Sequence, residues 1–107
     1  MAKNTIMLVC SAGMSTSMLV TKMEKAADEK GIEADIFAVS ASEADANIQN
    51  KPLDVIMLGP QVRFMKNQFE QKVEGKDIAV EVINMQDYGM MNGAKVLDTA
   101  IESIKNK

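Results

Sequence analysis

Cys10 is the only cysteine in a chain of 107 residues, and its neighbours give it more chemical potential than a lone thiol usually has. It follows the aliphatic run Ile6-Met7-Leu8-Val9 and precedes Ser11, Ala12, Gly13, Met14, Ser15, Thr16 and Ser17. Those residues leave a segment with little bulk and several hydroxyl donors, and Gly13 permits a close backbone approach or a positive φ. A buried strand, such a loop and a helix start would aim several backbone N–H groups and the positive end of a helix dipole at one point. That arrangement suits a phosphate or another anion. The same donors and dipole favour a thiolate over a thiol. A lone cysteine is more often an inert, buried small hydrophobe, but the spacing strand-C-x-x-G-x-S-T-S-helix turns the reading. Cys10 therefore reads as a nucleophile that carries a phosphoryl group.

The remaining composition narrows the chemistry. There is no histidine, so a Cys-His pair, a histidine phosphocarrier and the usual zinc or haem ligand sets are excluded within the chain. Any histidine chemistry must come from a partner. Twelve basic and 15 acidic residues give a formal charge of −3 without a long block of either sign. Nucleic acid is an unsuitable partner for that balance, and the low aromatic content argues against base stacking. No apolar run reaches the roughly 18 to 20 residues of a membrane helix, and no signal-peptide stretch opens the chain. One cysteine cannot form an internal disulfide, and with the lack of a membrane or signal stretch this favours a reducing, cytoplasmic setting; compactness and balanced charge favour a soluble monomer.

The elements that would position Cys10 follow from periodicity. A first strand over Thr5–Val9 leads into a helix over Ser17–Lys30, with Met18, Leu19, Met23, Ala26 and Ala27 on one face and Gly31 at its left-handed end. A second strand falls within Glu33–Val39. Ser40 and Glu43 form a capping-box pattern opening a short helix through Gln49, with Ala44 and Ile48 inward. A third strand over Asp54–Leu58 reads as buried on both faces. Gly59-Pro60 opens a helix whose stripe is Val62, Met65, Phe69 and Val73, stopped by Gly75. A fourth strand over Ile78–Ile83 precedes a loop from Asn84 to Asn92, and a last helix carries Val96, Leu97, Ala100, Ile101 and Ile104, with Asn92 as N-cap.

Strands alternating with helices are βαβ units. They predict one α/β domain over residues 1–107, a four-stranded parallel open sheet of order 2-1-3-4 with helices on both faces. Ligands in such sheets sit beyond the carboxyl ends of the strands, where connections diverge to opposite faces. Between strands 1 and 3 the Cys10 loop would face Gly59, Pro60 and Gln61, with Asp87 and Tyr88 one strand further on. Gln61 reads equally as a solvated helix start or a site residue, and Tyr88 equally as an ordinary loop aromatic or a site residue. Asp87 reads as a turn acid. Met14, an apolar side chain at the loop tip, suits a partner contact.

Cys-Ser-Ala-Gly-Met-Ser-Thr-Ser at Cys10 to Ser17, Leu-Gly-Pro-Gln at Leu58 to Gln61, and the Tyr-Gly-x-x-x-Gly pattern at Tyr88 to Gly93 resemble the IIB component of the lactose/cellobiose (chitobiose) class of the bacterial phosphoenolpyruvate-dependent sugar phosphotransferase system. The resemblance covers nearly the whole chain. It implies a phosphocysteine at Cys10 and a phosphate loop at Ser11 through Ser17. It also implies a phosphohistidine donor, the IIA protein, and a membrane-embedded IIC sugar permease as the acceptor's carrier, with no soluble cofactor and no metal.

Two other classes share this pattern. Low-molecular-weight phosphotyrosine phosphatases and arsenate reductases on a similar fold also attack with a loop cysteine, but grip phosphate with an arginine six residues later. Here that position is Thr16. A flavodoxin-like module binding a phosphate ligand non-covalently needs an aromatic or broad apolar surface for a flavin ring, and only Tyr88 offers itself.

Overall fold

A computed structural model describes residues 4–10 and 14–106, with the side chains of residues 14–16 outside the description. Four parallel strands form one sheet in the order β2-β1-β3-β4: β1 (Asn4–Cys10), β2 (Ala34–Ser40), β3 (Val55–Leu58) and β4 (Ala79–Val82). Both central strands are aliphatic because helices cover both faces, so neither set of alternating side chains reaches water. Ile6 and Leu8 of β1, with Val55 and Met57 of β3, enter one core; Met7 and Val9, with Ile56 and Leu58, enter the other.

The first core is closed by α1 (Met14–Lys30) and α5 (Gly93–Lys105), through Leu19, Met23, Val96, Leu97 and Ala100 among others. The second is closed by α2 (Ala44–Asn50) and α3 (Lys66–Lys72), through Ala44, Ile48, Phe69 and Val73. Gly31 and Gly75 hold φ values of 68° and 82°, in the left-handed region where a helix ends most easily on glycine. Asn92 caps α5, its side-chain oxygen accepting from the Lys95 N–H at 3.2 Å.

The structure departs from the sequence reading at several points, among them a 3-10 turn, Ala41–Glu43, ahead of α2, and Met18, which is exposed rather than on the buried face of α1. Helix α1 begins at Met14 rather than Ser17. The helix expected after Gly59 opens as a 3-10 segment, Pro60–Met65, with a non-helical break at Val62, and becomes α-helical only at Lys66. The stretch from Asn84 to Asn92 holds a short helix, α4 (Met85–Gly89), whose N-cap is Asn84: its side-chain oxygen accepts from the N–H groups of Gln86 and Asp87 at 2.9 and 3.2 Å.

Candidate functional site at the carboxyl end of the sheet

Cys10 is the last residue of β1 and is 1% exposed. The sheet fixes it from both sides. Its Cα partner on β2 is Ser40; the preceding residue, Val9, pairs with Leu58 on β3 and accepts from the Gly59 N–H at 2.8 Å. The Sγ atom lies 4.0 Å from the Val39 carbonyl oxygen, at the long limit of a sulfur contact.

Gly59 brings β3 close to the thiol. Its backbone is extended, with φ −61° and ψ 153°, so what it supplies is space rather than an unusual conformation. A Cβ built there would stand 3.0 Å from Gln61 Oε1, 3.3 Å from the Val9 carbonyl oxygen and 3.7 Å from Cys10 Cβ. The Gln61 side chain thus folds back over the gap that Gly59 leaves beside Cys10. The connections after β1 and β3 leave for opposite faces, and these residues meet at the resulting crevice.

Met14, Ser15, Thr16 and Ser17 form the first turn of α1, so the stretch expected as a loop is in part helix. This correction has a physical consequence, since the first N–H groups of a helix have no acceptor within it, the arrangement on which anion sites at helix starts are built. Ser11, Ala12 and Gly13, and the side chains of Met14, Ser15 and Thr16, lie outside the described residues. Ser17 is exposed, and its carbonyl accepts from Thr21 Oγ1 at 3.3 Å. No Lys or Arg occurs between Cys10 and Val20, so the segment following the thiol brings dipoles rather than full positive charge.

On the β2 side the structure adds residues that sequence reasoning treated only as a cap. The N–H and hydroxyl of Ser40 both donate to Glu43 Oε1, at 3.3 and 3.1 Å, and the hydroxyl lies 3.0 Å from Ser42 Oγ. This polar cluster follows directly from the strand residue paired with Cys10. The signal was present in the two strand endings, Val9-Cys10 and Val39-Ser40, which align residue for residue.

On the β4 side, Pro60, Gln61, Met85, Tyr88, Gly89 and Met91 line an apolar cleft of about 430 Å³. Tyr88 is no loop aromatic: it is 6% exposed and joins the α1/α5 core. Met91 holds a φ of 54°, in the region that favours glycine, while its side chain contributes both to the cleft and to that core. Asp87 serves the turn through its backbone, its N–H donating to Asn84 Oδ1 and its carbonyl accepting from the Asn92 N–H at 2.9 Å. Among the described residues, the large apolar side chains that remain exposed, Met18, Phe64, Met85 and Met90, lie on segments that leave the carboxyl ends of β1, β3 and β4.

Among the described residues no helix is long and apolar enough to cross a membrane, and no group of three or more His, Cys, Asp or Glu side chains could hold a metal ion. The fold and this crevice define a small α/β domain of the open parallel type, organised around a thiol at its switch point. Residues 5–99 match the family described as the lactose/cellobiose-specific IIB subunit of the PTS system, and the chain belongs to that family. It is 50% identical over 109 residues to the galactose-specific EIIB component of Lactococcus lactis subsp. cremoris, covering 99% of this chain and all of that one (100%). A cellobiose-specific EIIB component of Lactococcus lactis subsp. lactis is 49% identical with the same coverage. The solution structure of a cellobiose-specific IIB component from Borrelia burgdorferi superposes with a TM-score of 0.79 at 45% identity, covering 99% of this chain and 95% of that one. EIIB components are phosphotransferases, and this chain is one part of a sugar phosphotransferase system of the lactose/cellobiose class.

Proposed function

We propose that the chain, acting as one phosphotransfer domain over residues 1–107 in the cytoplasm, carries a phosphoryl group on Cys10. The group comes from a phosphohistidine of a IIA protein and goes to a sugar moving through a membrane-embedded IIC permease. The observation that carries this reading is Cys10 itself, the last residue of a central strand, set between Ser40, Gly59 and the first turn of α1. In the first transfer the thiolate attacks phosphorus, an S–P bond forms as the N–P bond breaks, and the departing imidazole takes up the proton that the thiol gave up. In the second, a sugar hydroxyl attacks phosphorus, an O–P bond forms as the S–P bond breaks, and the hydroxyl's proton goes to the departing sulfur or to water. With no histidine in the chain, the first step needs an outside donor.

Phosphoryl transfer depends chiefly on positioning and charge stabilisation. Backbone N–H groups at the start of α1 can do both. A guanidinium would also stabilise the resting phosphocysteine, and so hold back the second step; its place here is taken by Thr16. Two proteins must reach Cys10 in turn, and the exposed Met18, Phe64, Met85 and Met90 provide an adaptable apolar rim for both. For the sugar we propose a β-linked disaccharide such as cellobiose, chitobiose or lactose. Relatives of nearly equal identity are named for galactose and for cellobiose, which fits a carrier that leaves sugar selection to the permease.

Replacing Cys10 by Ser tests the assignment, because a hydroxyl is nearly isosteric but a far weaker nucleophile at neutral pH. The variant is expected to keep its melting temperature and lose sugar phosphorylation in a system reconstituted with its donor and permease. Transfer at the wild-type rate would remove Cys10 from the mechanism.

A further inference from the structure

The last strand of the sheet, β4, is an edge. The Ala79 N–H donates to the Asp54 carbonyl at 3.1 Å and the Ile83 N–H to that of Leu58 at 2.8 Å. In a parallel ladder alternate residues face the same neighbour, so Val80 and Val82 direct their N–H and C=O groups away from β3. Val80, with Ile78, Ala79 and Glu81, lines a groove of about 670 Å³ that runs along this edge with α3 on one side and α5 on the other. Its charged lining is Glu70 and Glu74 from the α3 side, Glu102 from α5, Glu81 from the strand and a single cation, Lys76. The carboxyl-terminal halves of α3 and α5 flank it, so the helix dipoles add to the negative potential.

An open edge with acidic walls on both faces matches an extended basic segment. Backbone groups would pair with Val80 and Val82, while alternate side chains would turn towards the carboxylates of α3 and α5. We propose that this edge takes a basic extended segment of about five residues, from the membrane-embedded sugar component, as a fifth strand. The charge of such a segment follows from general membrane-protein physics, since cytoplasmic loops are enriched in Lys and Arg. The groove is two strands away from β1. A segment seated there holds the carrier at its permease and leaves Cys10 open to the donor. The inference rests on the carrier reading for the partner's identity, but not for the pairing itself.

The test uses the full-length, nitrogen-15-labelled chain and a blocked peptide alternating Lys and Val. The same peptide with alternate backbone nitrogens methylated keeps the charges but cannot pair. The Lys-Val peptide is expected to bind and to slow hydrogen exchange of the Val80 and Val82 amides about tenfold or more at saturation, and the methylated peptide to do neither. Glu74→Gln combined with Glu102→Gln should weaken binding about tenfold and leave phosphorylation of Cys10 by the donor unchanged. Binding without protection of Val80 and Val82, equal binding of both peptides, or no binding at about 1 mM would overturn the proposal. In those cases the glutamates serve only to keep the edge from self-pairing. Failure of the wild-type chain to accept phosphate would instead count against the carrier reading, because the peptide measurement does not depend on it.

Discussion

On one face of the sheet α1 and α5 lie against each other as helices of 17 and 13 residues, whereas on the other α2 and α3 have seven residues each and are entered through 3-10 segments. Where α1 meets α5 the backbones come so close that a Cβ on Gly93 would stand 2.5 Å from the Lys22 carbonyl carbon and 2.7 Å from the Met23 nitrogen. Further along, Lys30 and Asp98 form an ion pair between the same two helices. Both crevice walls beside Cys10 start from this sheet, but they are held differently. The α1 wall is fixed by backbone against backbone. The Gly59–Gln61 wall belongs to the broken 3-10 segment and is closed by a flexible side chain. The difference teaches that the α1 wall is built to stay in place while the opposite wall can yield, which suits the proposed exchange between two partners.

Three substitutions of glycine sharpen or break that contrast. Gly93→Ala should have the largest effect, since the added methyl meets main chain that cannot rotate away. Overpacking of this kind costs about 1 to 3 kcal/mol. For a domain of this size that lowers the melting temperature by about 4 to 8 °C per kcal/mol, and phosphoryl transfer should fall with it as α1 is displaced. A Gly93→Ala protein with unchanged melting temperature would show that the α1 wall is not fixed at this point.

Gly59→Ala should separate stability from transfer. The new methyl meets Gln61 Oε1, the end of a flexible side chain, at 3.0 Å and the Val9 carbonyl oxygen at 3.3 Å. Stability should change by less than about 1 kcal/mol, while displacement of Gln61 beside the thiol slows transfer. Gly59→Ala transferring at the wild-type rate would mean that this wall plays no part in the reaction. The smallest effect is expected at Gly89, which lies in α4 with nothing within 4 Å of a built Cβ. Gly89→Ala should leave transfer unchanged and stabilise by about 0.4 to 1 kcal/mol, through lost freedom of the unfolded chain. Destabilisation there would show that the short helix needs its glycine.

How much of this was legible in the sequence depended on how local the cause was. The doubly buried strands, the glycine at the end of α1, the Ser40–Glu43 cap and the order of the sheet are each written in neighbouring residues or in the alternation of elements. The expected stripe Val62, Met65, Phe69 and Val73 also points inward, although the segment that carries its first half is not α-helical. That break was hidden because periods of 3.0 and 3.6 differ little over six residues. Helix α4 was missed because five residues ending in glycine show no periodicity, although Asn84 offered a cap. Two features of the site required the fold. Tyr88 becomes a core ring only once α4 is set against α1 and α5, and Ser40 stands beside Cys10 only through the parallel register of β1 and β2.

The central claim is that one phosphoryl group rides on one sulfur. Intact mass after incubation with phosphoenolpyruvate, the general phosphotransferase proteins and a IIA donor measures this directly. The mass should rise by a single phosphoryl group, the increase should map to the peptide containing Cys10, and iodine should remove it, as expected of a thiophosphate ester. An unmodified mass, or a label that survives iodine and sits on Ser15 or Thr16, would contradict the account.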